Sequence, residues 1–541
     1  MAHFRNSALA SAVLIAIAAM PHMAQAQGQP SDQLTPSTMK PIGTIDERYQ
    51  SYNVEMLEVT GSKFWKSYEA IRKAAVSGGS KGEAQSGDAP VGMDPGLYQY
   101  RLPLDLANKR LRAMAQALAP AYMRISGTWA NTTYFANTDS SPKEPPQGYG
   151  GVLTHQQWLA GIDFSRAVNA PIVTSMPTSE GTRGPDGLWQ PDQARRWLAF
   201  TKAHGGTVAA VEYMNEPTLA AMGGAPKGYD ATAFGRDYRV FNACMRKEFP
   251  DTKLLAPGSV GESYADWAVA VGGYGDQATL PAADLAASTT DADEFSYHHY
   301  GGGSQRCEDQ GFQTTPDQAL SEDWLGRTDQ TLAYYRDVRD KNMPGKPFWN
   351  TETADTACGG NPWAGTFLDT FRYLDQLGRL ARQEVNVIFH NTLVASDYGL
   401  LDENTFEPKP NFWGALLWRR LMGTTVLDTG FANRAGIHVY AHCLRDVPGG
   451  VAMLVLNTDR QKTRSLNLPV ASNRYTLAAA SPTDKTVSLS RTPLQLGAND
   501  ALPAMEGVAT TRGELTLQPA SITFLSVPTT VIPPEKSAHQ K

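Results

Sequence analysis

From Ser51 to about Thr425, short apolar and β-branched runs alternate with stretches whose apolar residues recur every three or four positions. A chain patterned this way builds β-α units around a parallel sheet, because such strands are covered on both faces and each helix buries one stripe. Eight strands are predicted: Ser51 to Leu57, Tyr122 to Ser126, Pro171 to Pro177, Val211 to Pro217, Lys253 to Ser259, Glu294 to Tyr300, Pro347 to Thr353 and Glu384 to Val394. Helical patterns fill the gaps, at Leu104 to Leu118, His155 to Val168, Asp192 to His204, Thr232 to Phe249, Asp329 to Asp340, Gly365 to Arg382 and Asn411 to Met422. Eight strands with intervening helices predict a (β/α)8 barrel over residues 47–424, whose catalytic groups come from the carboxyl ends of the strands and the loops after them.

After Thr425 the helical pattern stops, and short strand-like segments from Gly436 to Ser526, one of them Leu494 to Leu496, predict a β-sandwich over 425–527. The run Ile42 to Ile45, in a lead-in spanning 27–46, is placed to add an edge strand to it. Before the lead-in, Arg5, the apolar run Ala8 to Met20 and the small-residue pattern Ala24-Gln25-Ala26 predict a signal peptide over 1–26, cleaved before Gln27. The run is too short for a membrane span, so the expected product is exported, periplasmic or extracellular, with no membrane attachment once the leader is removed. The polar segment Ser77 to Ala89 is expected to be a flexible surface insertion, and the tail 528–541 to be disordered.

Lys and Arg number 48 against 54 Asp and Glu, a net charge of −6, which argues against a nucleic-acid partner bound through bulk charge. The four cysteines, Cys244, Cys307, Cys358 and Cys443, show no CxxC spacing. Cys307 and Cys358 each follow a predicted strand in a polar, Gly-rich loop, so one loop-to-loop bridge and four free thiols are both open. No GxSxG elbow, Walker loop or GxGxxG after the first strand is present, and no cofactor is implied.

The predicted fourth strand ends in Asn215-Glu216-Pro217 and the seventh in Thr351-Glu352-Thr353, which brings two carboxyl groups to one barrel mouth. Glycoside hydrolysis needs such a pair: one group protonates the departing oxygen while the other attacks the anomeric carbon or activates water. Pro217 restricts the backbone of Glu216. Asn215 shares the site only where the strand bends, because strand neighbours point to opposite faces. On the sixth strand, alternation sets His298 and Tyr300 on one face and His299 on the other, with Tyr300 placed to donate its hydroxyl to a carboxylate. Adjacent histidines that diverge make a poor metal site, so none is assigned. Trp129, Trp324 and Trp363, in the loops after strands two, six and seven, are candidates for stacking on sugar rings.

The Gly pair after Glu352, the phrase FLDTFRYLDQLGRLAR (Phe367 to Arg382) and SDYGLLDENTFEPKPNFWGALLWRRLMGT (Ser396 to Thr424) resemble, in that order, the heparanase and β-glucuronidase family of retaining glycoside hydrolases, family 79. The resemblance implies a barrel with a β-sandwich, Glu216 as acid/base, Glu352 as nucleophile, Tyr300 orienting Glu352, and Asn215 on the neighbouring sugar hydroxyl. It also implies a clamp for a uronate carboxylate made by Gly359, Gly360 and Tyr398, with Glu55 and His298 on the same sugar. His390 matches a further substrate contact, where the animal heparanases have Gln. The Gly pair lies one residue further from Glu352 than in those enzymes, with Cys358 before it. No dense Lys/Arg cluster is present, so long sulfated chains are not favoured. The expected substrate is a glycan or glycoside carrying a terminal β-linked glucuronate or its 4-O-methyl form, with exo action preferred. An endo-acting enzyme and a non-catalytic carbohydrate-binding protein are the alternatives.

Overall fold

The computed structural model describes residues 32–76, 94–140, 142, 144–261, 279–310 and 314–528. The leader and the Ser77 to Ala89 insertion lie outside these residues, as does the tail beyond residue 528. Eight strands close into a parallel barrel: β1 (Gln50–Glu55), β2 (Met123–Ser126), β3 (Ile172–Ser175), β4 (Val208–Glu212), β5 (Lys253–Ser259), β6 (Glu294–Tyr300), β7 (Phe348–Ala354) and β8 (Val385–His390). They follow chain order around the barrel, and β8 returns to pair with β1.

Alternation sorts each strand into two faces. On β2, Met123 and Ile125 join the outer core under the helices, while Arg124 does not. Val173, Ala210, Leu255, Trp349, Val387 and Phe389 form a separate buried cluster, the apolar plug at the amino end of the barrel. Nearer the carboxyl ends the buried residues are polar: Glu55, Arg124, Ser126, Glu212, His298 and Glu352. That change along the barrel axis creates the site.

Strand Met422–Asp428 begins directly after helix Pro410–Leu421 and opens an antiparallel nine-stranded sheet, with Lys40–Thr44 paired on its outer edge. Val451, Met453 and Val455 of one central strand face a two-stranded layer, Arg464–Leu468 with Gly513–Leu517, through Leu466, Leu468, Leu515 and Leu517. The alternate residues Ala452, Leu454 and Leu456 pack with the barrel core. Helix Phe367–Ala381 is therefore covered on all sides and buried at every position. At Gly378 a Cβ would come within 2.3 Å of the Tyr440 ring, so only glycine lets sheet and helix meet there. No helix among the described residues is long and apolar enough to cross a membrane.

Three expectations are corrected. The second layer is only two strands wide, and Leu494 to Leu496 is not a strand: the short Thr492–Pro493 strand stops at a proline, which lacks the N–H a longer ladder requires. Between the first two barrel strands, Ser62–Trp65 and Tyr98–Arg101 form an unforeseen antiparallel pair beside the mouth. Finally, β4 ends at Glu212 instead of Pro217, so Asn215 and Glu216 sit on the bend that follows.

Candidate active site

The site is organised around the guanidinium of Arg124, a residue only 1% exposed in the middle of a barrel strand. Burial opposes its charge, but Glu212, Glu352 and Glu55 outweigh that cost and hold it protonated. Arg124 donates from Nε and Nη2 to Glu212 Oε2 at 3.1 and 2.8 Å, from Nη1 to Glu352 Oε2 at 2.9 Å, and from Nη2 to Asn215 Oδ1 at 2.8 Å. Burial drives the Glu212 carboxyl up, yet Arg124, His298 and Thr351 together bring it below the usual range.

Glu352 reaches the mouth through a break in alternation. Its neighbour Thr351 also faces the interior, donating to Glu212 Oε1 at 2.9 Å. Two successive inward residues require a bulge, and the β6–β7 ladder skips Thr351 between the Tyr297–Asn350 and His298–Glu352 pairs. Tyr300 then donates its hydroxyl to Glu352 Oε1 at 2.5 Å.

Glu216 is placed by the bend after β4. Asn131 grips the backbone of Asn215 twice, accepting from its N–H and donating to its carbonyl, each at 2.9 Å. Glu216 itself is left-handed, with φ +46°, where the proline after it favours extended backbone. The restriction expected from Pro217 is thus overridden, because the surrounding bonds fix the turn that aims the side chain inward. Burial lifts the Glu216 carboxyl to about 7; Arg124 pulls it down and Glu212 pushes it further up.

His298 links the two carboxyl groups. Burial lowers its pKa to about 4, so the ring is neutral at physiological pH. Arg124 Nη2, whose two hydrogens point to Glu212 and Asn215, lies 3.3 Å from His298 Nε2; a guanidinium cannot accept, which favours the tautomer with Nε2 bare and the ring proton on Nδ1. Nδ1–H therefore donates to Glu216 Oε1 at 3.0 Å. Ligand atoms of Glu216, His298 and Glu352 lie within 4.8 Å of one another, a spacing that would suit a cation. Arg124 already supplies the positive charge there, and both nitrogens of His298 are committed, so the donor set does not fit a metal. His299, on the opposite face, is buried beside Thr328.

The Glu55 carboxyl faces this pair. Burial, then Glu352 and Glu58, push it well above the carboxylate range. Gly127 makes room for it: a Cβ there would stand 1.8 Å from Glu55 Oε2. Asn391 Nδ2 ties Tyr300, Tyr398 and Glu55 together at 3.0, 3.1 and 3.4 Å. Gly359 and Gly360 both adopt positive φ, as does Cys358 before them. Cys307 and Cys358 form a disulfide across the β6 and β7 loops.

His390 is a correction. Val387 and Phe389 face inward, so alternation turns His390 out against the Tyr373 ring, and its Nε2 donates to the Tyr398 carbonyl at 2.8 Å. It supports the loop that carries Tyr398 and does not face the site. Trp324 and Trp363 are likewise buried in packing, while Trp129 stacks edge-on with Phe64 of the inserted hairpin. Arg124, Glu212, Asn131 and Asn391 were not expected. Arg124 and Glu212 each carried a sequence signal, a lone charge in the strand runs YMRIS and VAAVEYM.

No family model matches the chain. It is 26% identical over 382 residues to heparanase-like protein 1 of Arabidopsis thaliana, covering 68% of this chain and 67% of that protein. It is 25% identical over 478 residues to heparanase of Mus musculus, covering 77% and 84%. Baicalin-beta-D-glucuronidase of Scutellaria baicalensis is 31% identical over a shorter stretch, 30% of this chain and 33% of that one. Two solved structures share the fold with a TM-score of 0.59: a 4-O-alpha-L-rhamnosyl-beta-D-glucuronidase from Fusarium oxysporum 12S, at 13% identity over 92% of this chain and 99% of that one, and a family 51 arabinofuranosidase from Xanthomonas axonopodis pv. citri, at 15% over 91% and 98%.

Proposed function

We propose that this glycoside hydrolase, similar to the heparanases and β-glucuronidases, releases terminal β-linked glucuronate or 4-O-methyl-glucuronate from glycans or glycosides with retention of configuration. The observation that carries the proposal is the pairing of Glu216 and Glu352, with carboxyl oxygens within 4.8 Å of each other, beside a turn rich in hydrogen-bond donors. A retaining pair stands about 5 to 5.5 Å apart, whereas an inverting pair leaves room for a water.

In this mechanism a Glu352 oxygen attacks the anomeric carbon while Glu216 gives its proton to the departing oxygen; the glycosidic bond breaks and a glycosyl ester forms. Glu216, now ionised, takes a proton from water, which attacks the same carbon and releases Glu352. A carboxyl with a pKa of about 7 suits both steps at neutral pH. Arg124 and Tyr300 hold the two Glu352 oxygens in place until one attacks.

The substrate carboxylate is assigned to the N–H groups of Gly359 and Gly360, which have no acceptor among the described residues, and to the Tyr398 hydroxyl. Glu55 is no obstacle: burial and the nearby Glu352 and Glu58 favour its neutral form, which can donate to the sugar without repelling it. Trp65 of the inserted hairpin packs against Gly359, which supports a pocket closed on that side and exo action. The leader before Gln27 supports export.

The test is hydrolysis of 4-nitrophenyl β-D-glucuronide beside the glucoside, xyloside and galactoside, with Glu352→Gln as control. Glucuronide-only turnover that the variant loses supports the proposal. Cleavage of a polymeric uronate with silence on all four would make the enzyme endo-acting. Turnover of a neutral glycoside alone would refute the carboxylate clamp.

A further inference from the structure

We propose that Arg306 is the positioning residue of the uronate clamp: its guanidinium holds the backbone turn at Gly359 and Gly360 so that their N–H groups face the barrel mouth. The inference rests on the clamp assigned above and says what builds it.

A trans peptide points its carbonyl and its N–H to opposite sides, so fixing one fixes the other. The Cys358 carbonyl, which shares a peptide unit with the Gly359 N–H, accepts from Arg306 Nη1 at 3.2 Å and from Ser304 Oγ at 2.9 Å. The Gly359 carbonyl, paired in the same way with the Gly360 N–H, accepts from Ser396 Oγ at 2.8 Å. The Gly360 carbonyl accepts from Arg306 Nη1 at 2.8 Å, and the N–H beyond it, on Asn361, donates to Asp355 Oδ2 at 3.0 Å. The carbonyls of Cys358 and Gly359 are thus held by Arg306, Ser304 and Ser396, which turns the N–H groups opposite them, on Gly359 and Gly360, away from those donors, and neither N–H meets an acceptor among the described residues. A Cβ on Gly359 would come within 3.0 Å of Arg306 Nη1, so the guanidinium packs directly against the turn.

Arg306 is itself held rigidly. Its side chain is fully buried and lies over the Tyr68 ring at 4.0 Å. Nε and Nη2 both donate to the Lys66 carbonyl, at 3.0 and 2.6 Å, and Nη2 also pairs with Asp397. With two bonds from Nη1, all five guanidinium donors are used. One planar fork therefore joins the inserted hairpin, the disulfide loop and the loop carrying Tyr398. The disulfide of the adjacent Cys307 with Cys358 anchors the same turn covalently. Because Asp397 offsets the charge, the fork works through the orientation and polarisation of peptide dipoles more than through net attraction. Lysine, with three donors and no fork, cannot reproduce it.

The test measures kcat and KM for 4-nitrophenyl β-D-glucuronide, and competitive inhibition by free D-glucuronate, in the wild type, Arg306→Lys and Arg306→Gln, each checked for folding by thermal unfolding. The expected result is a rise in KM and in the inhibition constant of about tenfold or more in both variants, with kcat changed far less, since a lost clamp removes ground-state and transition-state binding alike. Unchanged KM, or a fall in kcat with unchanged inhibition by glucuronate, would overturn the assignment. If the arginine variants do not fold, Ser396→Ala, which removes the donor to the Gly359 carbonyl, is expected to raise KM in the same direction by a smaller factor, and its failure to do so would equally overturn it. A wild type with no preference for glucuronide over glucoside would instead refute the functional proposal on which this one stands.

Discussion

Replacing Glu216 by Gln separates the acid/base role from every structural one, because Gln keeps the shape and removes the titration. Burial raises the Glu216 carboxyl from the ordinary 4.5 to about 7, a change that corresponds to about 3 kcal/mol. Between those values the unfolded chain has released its proton while the folded one still holds it. Stability therefore falls as pH rises through this window and levels off above about 7. The variant lacks this loss, so from pH 4.5 to pH 8 it is expected to gain about 3 kcal/mol relative to the wild type in urea unfolding, with the other buried carboxyls cancelling in the comparison. In turnover, the wild-type kcat/KM should decline above about pH 7 as Glu216 loses the proton the leaving oxygen needs. An alkyl glucuronide, whose leaving group must be protonated, should lose about 10²- to 10⁴-fold in kcat/KM in the variant. 4-Nitrophenolate departs unaided, so the 4-nitrophenyl substrate should keep most of its kcat/KM while kcat falls, because water then lacks its base. Equal losses of kcat/KM on the two substrates, or an alkaline decline that survives the substitution, would refute the role of Glu216.

Tyr300→Phe removes the 2.5 Å bond to Glu352 Oε1 and is expected to lower kcat about 10- to 100-fold with a smaller effect on KM, in the same hydrolysis assay. Gly127→Ala forces a Cβ to within 1.8 Å of Glu55 Oε2 at a φ of +96°, so the midpoint of thermal unfolding should drop, with a cost of about 1 to 3 kcal/mol, and Glu55 should leave the site. Where the sheet meets the barrel, burial opposes protonation of His438, but Asp375 and then Glu322 outweigh it and raise the ring to about 9. That stabilisation, about 3 kcal/mol, is complete below about pH 6.5 and is lost as pH rises through about 9. His438→Gln should flatten the stability profile in that window when unfolding is followed at pH 6 and pH 9.5.

The barrel strands and their helices were legible because periodicity is a local property: a strand buried on both faces must read as a short apolar run, and a helix must repeat its apolar face each turn. Helix His155–Ala167 and strands β5 and β6 fall within a residue of their expected bounds for that reason. His298 and Tyr300 share a face because β6 keeps its alternation to the end. The same rule failed where parity broke. A bulge turns Glu352 inward beside Thr351, and a bend beyond Glu212 delivers Glu216 in a left-handed conformation that the following proline disfavours. On β8 the alternation held, and it carried His390 away from the site while handing the inward position to Asn391.

Readable along the chain were which segments become strands and helices, that eight strands suit a barrel, and that two carboxyl groups stand near its carboxyl end. These follow from patterns a few residues long. It took the folded barrel for Arg124 of one strand to hold Glu212 and Asn215 from one distant stretch and Glu352 from another, and for Arg306 to brace a glycine turn some fifty residues away. Those contacts exist once the barrel closes and removes water. A buried guanidinium then has no alternative but the carboxylates and carbonyls that closure brings within reach, and no local pattern names them in advance.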